Sequence, residues 1–373
     1  MKTAIVHEWF VNYMGSEKCV ESFTNIWDKS DIFALVDYLT SEERSIILKG
    51  KTAETSFIQK LPGAKKRYRN YLPFFPLAVE QFDLSSYDVV ISSSHAVAKG
   101  VLTGTNQMHV CYCHTPVRYA WDLYNQYLRE ANLTTGIKGL FARIVLHYFR
   151  MWDISSVNRV DHFVANSRYI ARRIKKVYNR EATVIYPPVD VDKFGLNTNK
   201  EDFYLAVARF VPYKKMDLIV EAFTKMPDKT LYVIGSGPDE AKIKALAGQN
   251  IKFLGYQSDD ALVDYMGRAK SFVFAAEEDF GITNVEAMAC GTPVIAYGKG
   301  GATETIIPGE TGYFFEKQSP ESLIKTVEEF ERMGKSFNPV KIREHSEKFS
   351  RKRFEEEIES FVKTKYEDFR KSL

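Results

Sequence analysis

"SFVFAAEEDFGITNVEAMACGTPVIAYG", residues 271–298, decides the fold. It opens on an apolar run, 271–276, breaks at Glu277, Glu278 and Asp279, turns at Gly281, takes up a short helix near Thr283, and returns to an apolar run at 293–298. A parallel pair of strands needs a helical crossover, and only strands covered on both faces are apolar throughout, so this is the pattern of a buried parallel sheet.

Upstream the alternation continues: strands are expected at 203–210, 230–237 and 251–255, with helices at 216–226, 238–248 and 259–269. It stops at "YPPVDVDKFGLNTNKED", 186–202, where Pro187 and Pro188 end regular structure and mark a linker. Before the linker lies a first series, with strands at 3–10, 31–36, 87–94, 108–114 and 161–167 and a helix at 14–27. The chain is therefore expected to be α/β, two Rossmann-like, doubly wound domains facing each other across a cleft. Their bounds are 1–187 and 188–345. The remaining 346–373, with Phe349, Phe354, Ile358 and Phe361 in sequence, reads as a terminal helix docking back on the N-terminal domain.

Composition agrees with a soluble globular chain, 45% hydrophobic and 27% charged over 373 residues, long enough for two cores. No leader and no run of about 20 apolar residues is read, so a cytoplasmic location is expected. Four cysteines do not make a disulfide framework; Cys111 and Cys113, two apart on a strand, share a face and suit a core. Charge is uneven: residues 1–190 hold 24 Lys/Arg against 18 Asp/Glu. Within them Lys60, Lys65, Lys66, Arg67 and Arg69 precede Tyr71, Leu72, Phe74, Phe75 and Leu77, and 137–152 mixes Lys138, Arg143 and Arg150 with large apolar side chains at helical spacing. Such stretches suit either an anionic membrane surface or a solvated face over a buried stripe.

Ligands of doubly wound sheets bind beyond the carboxyl ends of the strands, which directs attention to four places. Glu278 follows a strand directly, and Gly281, Ile282 and Thr283 open a helix whose free N–H groups suit an anion. Glu286 is placed either to reach the same ligand or, with Thr283, to close a capping box. Arg209 and Lys214 flank the end of the 203–210 strand and suit a diphosphate or a surface pair. His114 ends the 108–114 strand before Pro116, as a sugar ligand, proton carrier or structural histidine; His95 is a weaker candidate of the same kind. Gly15 opens the first helix, without the G-x-G-x-x-G of a dinucleotide site.

"EEDFGITNVEAMACGTPVIAYGKGGATE" resembles the E-x7-E segment of retaining glycosyltransferases of family 4, which have the GT-B fold. "VARFVPYKKMDLIVEAF" is similar to that family's Arg and Lys segment. "HEWFVNYMGSEKCVES", "YCHTPVRYAWD", "VANSRYIARRIKKVY" and "VIYPPVDVDKF" look like its bacterial members that build lipopolysaccharide or other surface polysaccharides. One departure is Asn284, where these members usually have proline.

The resemblance implies a retaining hexosyltransferase. Glu278 would hold the donor sugar's hydroxyls, Glu286 the ribose, Arg209 and Lys214 the diphosphate, and His114 the sugar near its reacting carbon. Gly15 would approach the phosphates, with backbone donors at Gly281, Ile282 and Thr283. It implies no metal and no cofactor, the nucleotide sugar being a substrate, with GDP-mannose favoured and a UDP-sugar next. The expected partners are a lipid-linked saccharide acceptor and the inner face of a membrane, with the protein peripheral on it, and no nucleic acid. A GT-B sugar-nucleotide epimerase and a non-catalytic sugar-nucleotide-binding module are the alternatives.

Overall fold

The computed structural model describes residues 1–333 and 337–373. The described chain divides into two compact units, residues 1–188 with 354–373, and residues 189–353. The first is built on a seven-stranded sheet: β1 (Thr3–His7), β2 (Asp31–Ala34), β3 (Glu54–Thr55), β4 (Val89–Ser94), β5 (Met108–Cys113), β6 (His162–Ala165) and β7 (Ala182–Val184). The second has six: β8 (Tyr204–Val207), β9 (Leu231–Ile234), β10 (Ile251–Gly255), β11 (Ser271–Phe274), β12 (Val294–Tyr297) and β13 (Gly312–Phe315).

The first sheet runs β3-β2-β1-β4-β5-β6-β7 and the second β10-β9-β8-β11-β12-β13. Pairing is parallel throughout both. Both are therefore doubly wound, and in each the order reverses beside its first strand, between β1 and β4 and between β8 and β11. The crevice that a doubly wound sheet offers to ligands opens at such a reversal. Register fixes which residues line it: His7 pairs with Ser93, and Leu205 with Phe272.

The central strands are where the apolar runs put them. Three strands that those runs do not announce, β3, β7 and β13, all lie at sheet edges, are partly exposed, and lack the continuous apolar stretch that burial on both faces demands. Most expected elements are trimmed at their ends; the strand at 3–10 stops at His7, those at 203–210 and 230–237 are Tyr204–Val207 and Leu231–Ile234, the strand at 31–36 stops at Ala34, and the helix at 238–248 is confined to Glu240–Lys244.

In the first unit the Gly15–Ile26 helix and the C-terminal Arg351–Ser372 helix cover one face of the sheet, where Phe23, Tyr112, Phe354, Ile358 and Val362 share a core. The opposite core gathers Val6, Phe33, Phe75, Val90 and Phe149. The second unit continues to Arg353, so the Pro339–Ser346 helix belongs to it. All four cysteines are buried.

Candidate functional site

In the second unit the reversal is lined by two segments. One leaves β8: Arg209 lies exposed just past the strand, and a single turn at Pro212–Lys214 leads through Lys215, with φ 55°, into the Met216–Thr224 helix. The other leaves β11 through Glu278 to Gly281. The Lys214 ammonium forms an ion pair with Glu278 Oε1, and the two side chains retain 21% and 19% of their exposure, within reach of a solute.

Gly281 has φ 82° and caps the Ile282–Ala289 helix. That left-handed turn is open to glycine at little cost and starts the helix early, so Thr283 is already its second residue. The capping box is therefore not formed: Thr283 is inside the helix, and Glu286 stands a full turn after Ile282 rather than in the first turn. Glu286 is 8% exposed. Asn284, where proline is usual, is fully buried, with neither side-chain polar atom bonded among the described residues.

The sequence reading gave no role to Gly300. Its φ is 70°, and a Cβ there would lie 2.3 Å from the Glu278 carbonyl oxygen, so only glycine lets the loop after β12 press on the backbone that carries Glu278. The next residue fastens the contact, Gly301 N–H donating to the Glu278 carbonyl at 2.8 Å. Paired glycines directly after an apolar strand were the available signal.

In the first unit the reversal brings together a group of polar side chains, several of them fully buried. Glu8, just past β1, accepts from Ser94 Oγ (3.1 Å) and from the N–H groups of His95 (2.8 Å), Ala96 (2.7 Å), Val97 (3.0 Å) and Ala98 (3.0 Å). Burial works against its charge, but His95 and the Ala96 and Val97 N–H groups outweigh it and hold the pKa below the usual value. Nothing in "HEWF" singled out this carboxylate, because its five donors come from another strand end.

His114 donates its N–H to the Ser94 carbonyl (2.8 Å) and accepts from Asn166 Nδ2 on its own carbonyl (3.0 Å). Its Nε2 lies 2.8 Å from Ser93 Oγ. Burial, and then His95 and His7, depress its pKa well below 6.5, so the ring is neutral at pH 7. His95 is close, its ring centroid 6.3 Å from that of His114. At the start of the Gly15–Ile26 helix, Glu17 accepts from Met14 N–H (3.1 Å) and Ser16 Oγ (3.0 Å) and so satisfies donors beside Gly15.

Thus Lys214, Glu278 and the Gly281–Thr283 turn belong to one reversal, with Arg209 exposed at the adjoining strand end. His114 and Gly15 flank the other, with His7, Glu8, Glu17 and Ser93 as members that sequence reasoning missed. Among the described residues no three His, Cys, Asp or Glu side chains are grouped as metal ligands.

Known proteins agree with this architecture. The family model "Glycosyl transferases group 1" matches residues 189–353, and "Glycosyltransferase Family 4" matches residues 36–193. An uncharacterized glycosyltransferase of Methanocaldococcus jannaschii is 31% identical over 216 residues, 56% of this chain and 60% of that protein. A GDP-mannose-dependent monoacylated alpha-(1-6)-phosphatidylinositol monomannoside mannosyltransferase of Corynebacterium glutamicum is 32% identical over 195 residues, 44% of this chain and 51% of that one. The chain thus spans only half to three-fifths of these curated relatives. Among solved structures, Anabaena HepE in complex with UDP superposes with a TM-score of 0.70 at 17% identity, covering 98% of this chain and 100% of that one. The lipopolysaccharide outer core galactosyltransferase WaaB, in its apo form, superposes at 0.67 and 18% identity, with 98% and 100% covered. The fold is GT-B, and the models of two glycosyltransferase families match successive stretches of the chain.

Proposed function

We propose that the protein is a retaining, metal-independent hexosyltransferase that moves a sugar, mannose by preference, from a nucleotide sugar to a lipid-linked saccharide at a membrane face, in surface polysaccharide or lipopolysaccharide synthesis. The observation that carries this reading is the Lys214–Glu278 pair beside the Gly281–Thr283 turn, with Arg209 exposed at the neighbouring strand end. Two cations and a helix N-terminus at a sheet reversal suit a diphosphate, and a carboxylate among them suits sugar hydroxyls. The relatives support the substrate class, since one is described as GDP-mannose-dependent and HepE was solved with UDP and with UDP-glucose.

Cleavage of the sugar–phosphate bond leaves an oxocarbenium-like sugar and a nucleoside diphosphate that gains negative charge. Arg209 and Lys214 stabilise that charge more in the transition state than before it, the work a metal ion does elsewhere. Retention then follows from front-face attack, with the departing phosphate oxygen taking the acceptor's proton. Glu286 holds the ribose, Gly15 approaches the phosphates, and His114 contacts the sugar.

The membrane side of the reading is supported by exposed basic residues Lys65, Lys66, Arg67 and Arg69 near exposed Phe74 and Leu77. No described helix is long and apolar enough to cross a membrane, so contact of this kind would be peripheral.

Thermal unfolding with GDP, UDP and their sugars tests the donor: a ligand at about 100 times its Kd adds roughly 2.7 kcal/mol, and GDP-mannose is expected to give the largest shift. Transfer should survive excess chelator. A loss of more than about tenfold, roughly 1.4 kcal/mol of barrier, restored by magnesium or manganese would overturn the cationic clamp.

A further inference from the structure

Four side chains, from the Gly15–Ile26 helix, β1, β4 and the turn just past β5, form one hydrogen-bonded string in the first unit. Glu17 Oε1 lies 3.4 Å from His7 Nε2, His7 Nδ1 lies 3.1 Å from Ser93 Oγ, and Ser93 Oγ lies 2.8 Å from His114 Nε2. Glu17, His7 and Ser93 are 3%, 1% and 0% exposed, so water does not compete for these bonds. The string ends at His114, whose Nδ1 has no partner among the described residues.

Its direction is set by the one member that cannot donate. An ionised carboxylate only accepts, whereas a neutral imidazole donates from one nitrogen and accepts at the other, and a hydroxyl does either. Facing an ionised Glu17, a His7 that carries a single ring proton must donate from Nε2 and accept at Nδ1. Ser93 must then give its proton to His7 Nδ1 and accept from His114. His114 must therefore carry its proton on Nε2.

We propose that Glu17, acting through His7 and Ser93, fixes His114 as the Nε2–H tautomer, so that Nδ1 presents a lone pair to a hydroxyl of the bound sugar. Glu17, His7 and Ser93 are positioning residues; this rests on the reading of His114 as a sugar contact. The electrostatics agree. Burial disfavours the charge on Glu17, but the hydrogen bond from His7 outweighs it and holds its pKa below the usual value, while burial keeps His114 neutral. A lone pair at Nδ1 selects a donor sugar with a hydroxyl at that point: a deoxy sugar loses the bond, and a carboxylate there meets acceptor against acceptor.

The test is nitrogen NMR of the full chain labelled with 15N-histidine, the His114 ring signals being assigned by their loss in His114→Asn. The wild type should show a protonated Nε2 and a bare Nδ1. In Glu17→Gln the amide can donate to His7 Nε2, the whole string turns over, and His114 should move its proton to Nδ1. Turnover should fall about tenfold or more with the tautomer change. A wild-type His114 protonated on Nδ1, which a doubly protonated His7 would also produce, overturns the proposal. So does an unchanged tautomer in folded Glu17→Gln. Should that variant not fold, Ser93→Ala cuts the string, and a His114 still locked on Nε2 overturns it as well. The expected tautomers without sugar transfer by the wild type would instead overturn the transferase reading alone.

Discussion

Glu278 and Glu286 sit in different surroundings, and their roles should separate accordingly. Glu278 retains 19% side-chain exposure and is paired with Lys214; Glu286 is 8% exposed on a helix that begins four residues before it. Glu278→Gln should cut turnover by about tenfold or more and leave the affinity for free nucleoside diphosphate intact, since that ligand has no sugar for it to touch. Glu286→Gln should weaken the free diphosphate itself. Because Gly281 is the helix cap, Glu286→Ala should not lose the roughly 1 kcal/mol that a capping-box role would predict. Calorimetric titration of the variants with diphosphate and sugar nucleotide checks both, and equal behaviour of the two glutamates would show the division to be wrong. Arg209, Glu278 and His114 stand out in the sequence because each lies just past an apolar run that must end at a strand's carboxyl edge. Partners were not: Lys214 meets Glu278, and Glu17 meets His7, only once strand order and register are set.

The Gly136–Ser156 helix shows the same boundary at the scale of an element. Its helical spacing is plain in the sequence, but it is apolar on two sides, and periodicity alone does not say which one is covered. In the structure Leu146, Phe149, Asp153 and Ser156 face inward, with Asp153 Oδ1 2.6 Å from the buried Lys99 ammonium. Ile137, Leu140, Phe141, Ile144, Tyr148 and Met151 are exposed, 88% for Ile137 and 62% for Phe141, and their spacing of three and four makes them one stripe. Covering large side chains of this kind is worth about 1.5–3 kcal/mol each, and a bilayer interface supplies the cover the proposed function calls for. Changing Leu140, Phe141, Ile144 and Tyr148 to Ser should lower binding to anionic vesicles by more than tenfold, about 1.4 kcal/mol, with little change in thermal stability. Replacing Lys65, Lys66, Arg67 and Arg69 by Gln should weaken sedimentation at low salt, by roughly 1 kcal/mol per residue. Unchanged sedimentation in both variants would return the stretches to solvated faces.

For the whole molecule, two rounds of strand and helix were enough to read two doubly wound sheets, whereas the edge strands β3, β7 and β13 carry too little burial to leave an apolar run. The interior polar groups were also hidden, because a histidine on a buried strand is declared only by its partners. His109 is the clearest: fully buried in β5, it has Nδ1 2.8 Å from the Arg159 carbonyl and Nε2 2.8 Å from Ser92 Oγ. The carbonyl requires a donor, so Nδ1 carries the proton and Nε2 accepts from Ser92. Burial drives its pKa down from 6.5 to about 4, the carbonyl contact and Asp161 opposing only part of the shift. Below pH 6.5 the unfolded chain therefore binds a proton that the folded one refuses until about pH 4. The stabilisation is complete above 6.5 and lost as pH falls through this window, about 3 kcal/mol from this residue. His95 and His114, also depressed by burial, add losses of the same sign. Glu8 and Glu17, held below 4.5, add theirs only at still lower pH. Urea unfolding of the first unit should thus weaken steadily from pH 6.5 to 4 and change little from 6.5 to 8. His109→Asn keeps a donor for the Arg159 carbonyl but cannot titrate, so it should be less stable at pH 7 yet show a shallower decline. A decline as steep as the wild type's would mean that His109 is not where the fold takes up its acid sensitivity.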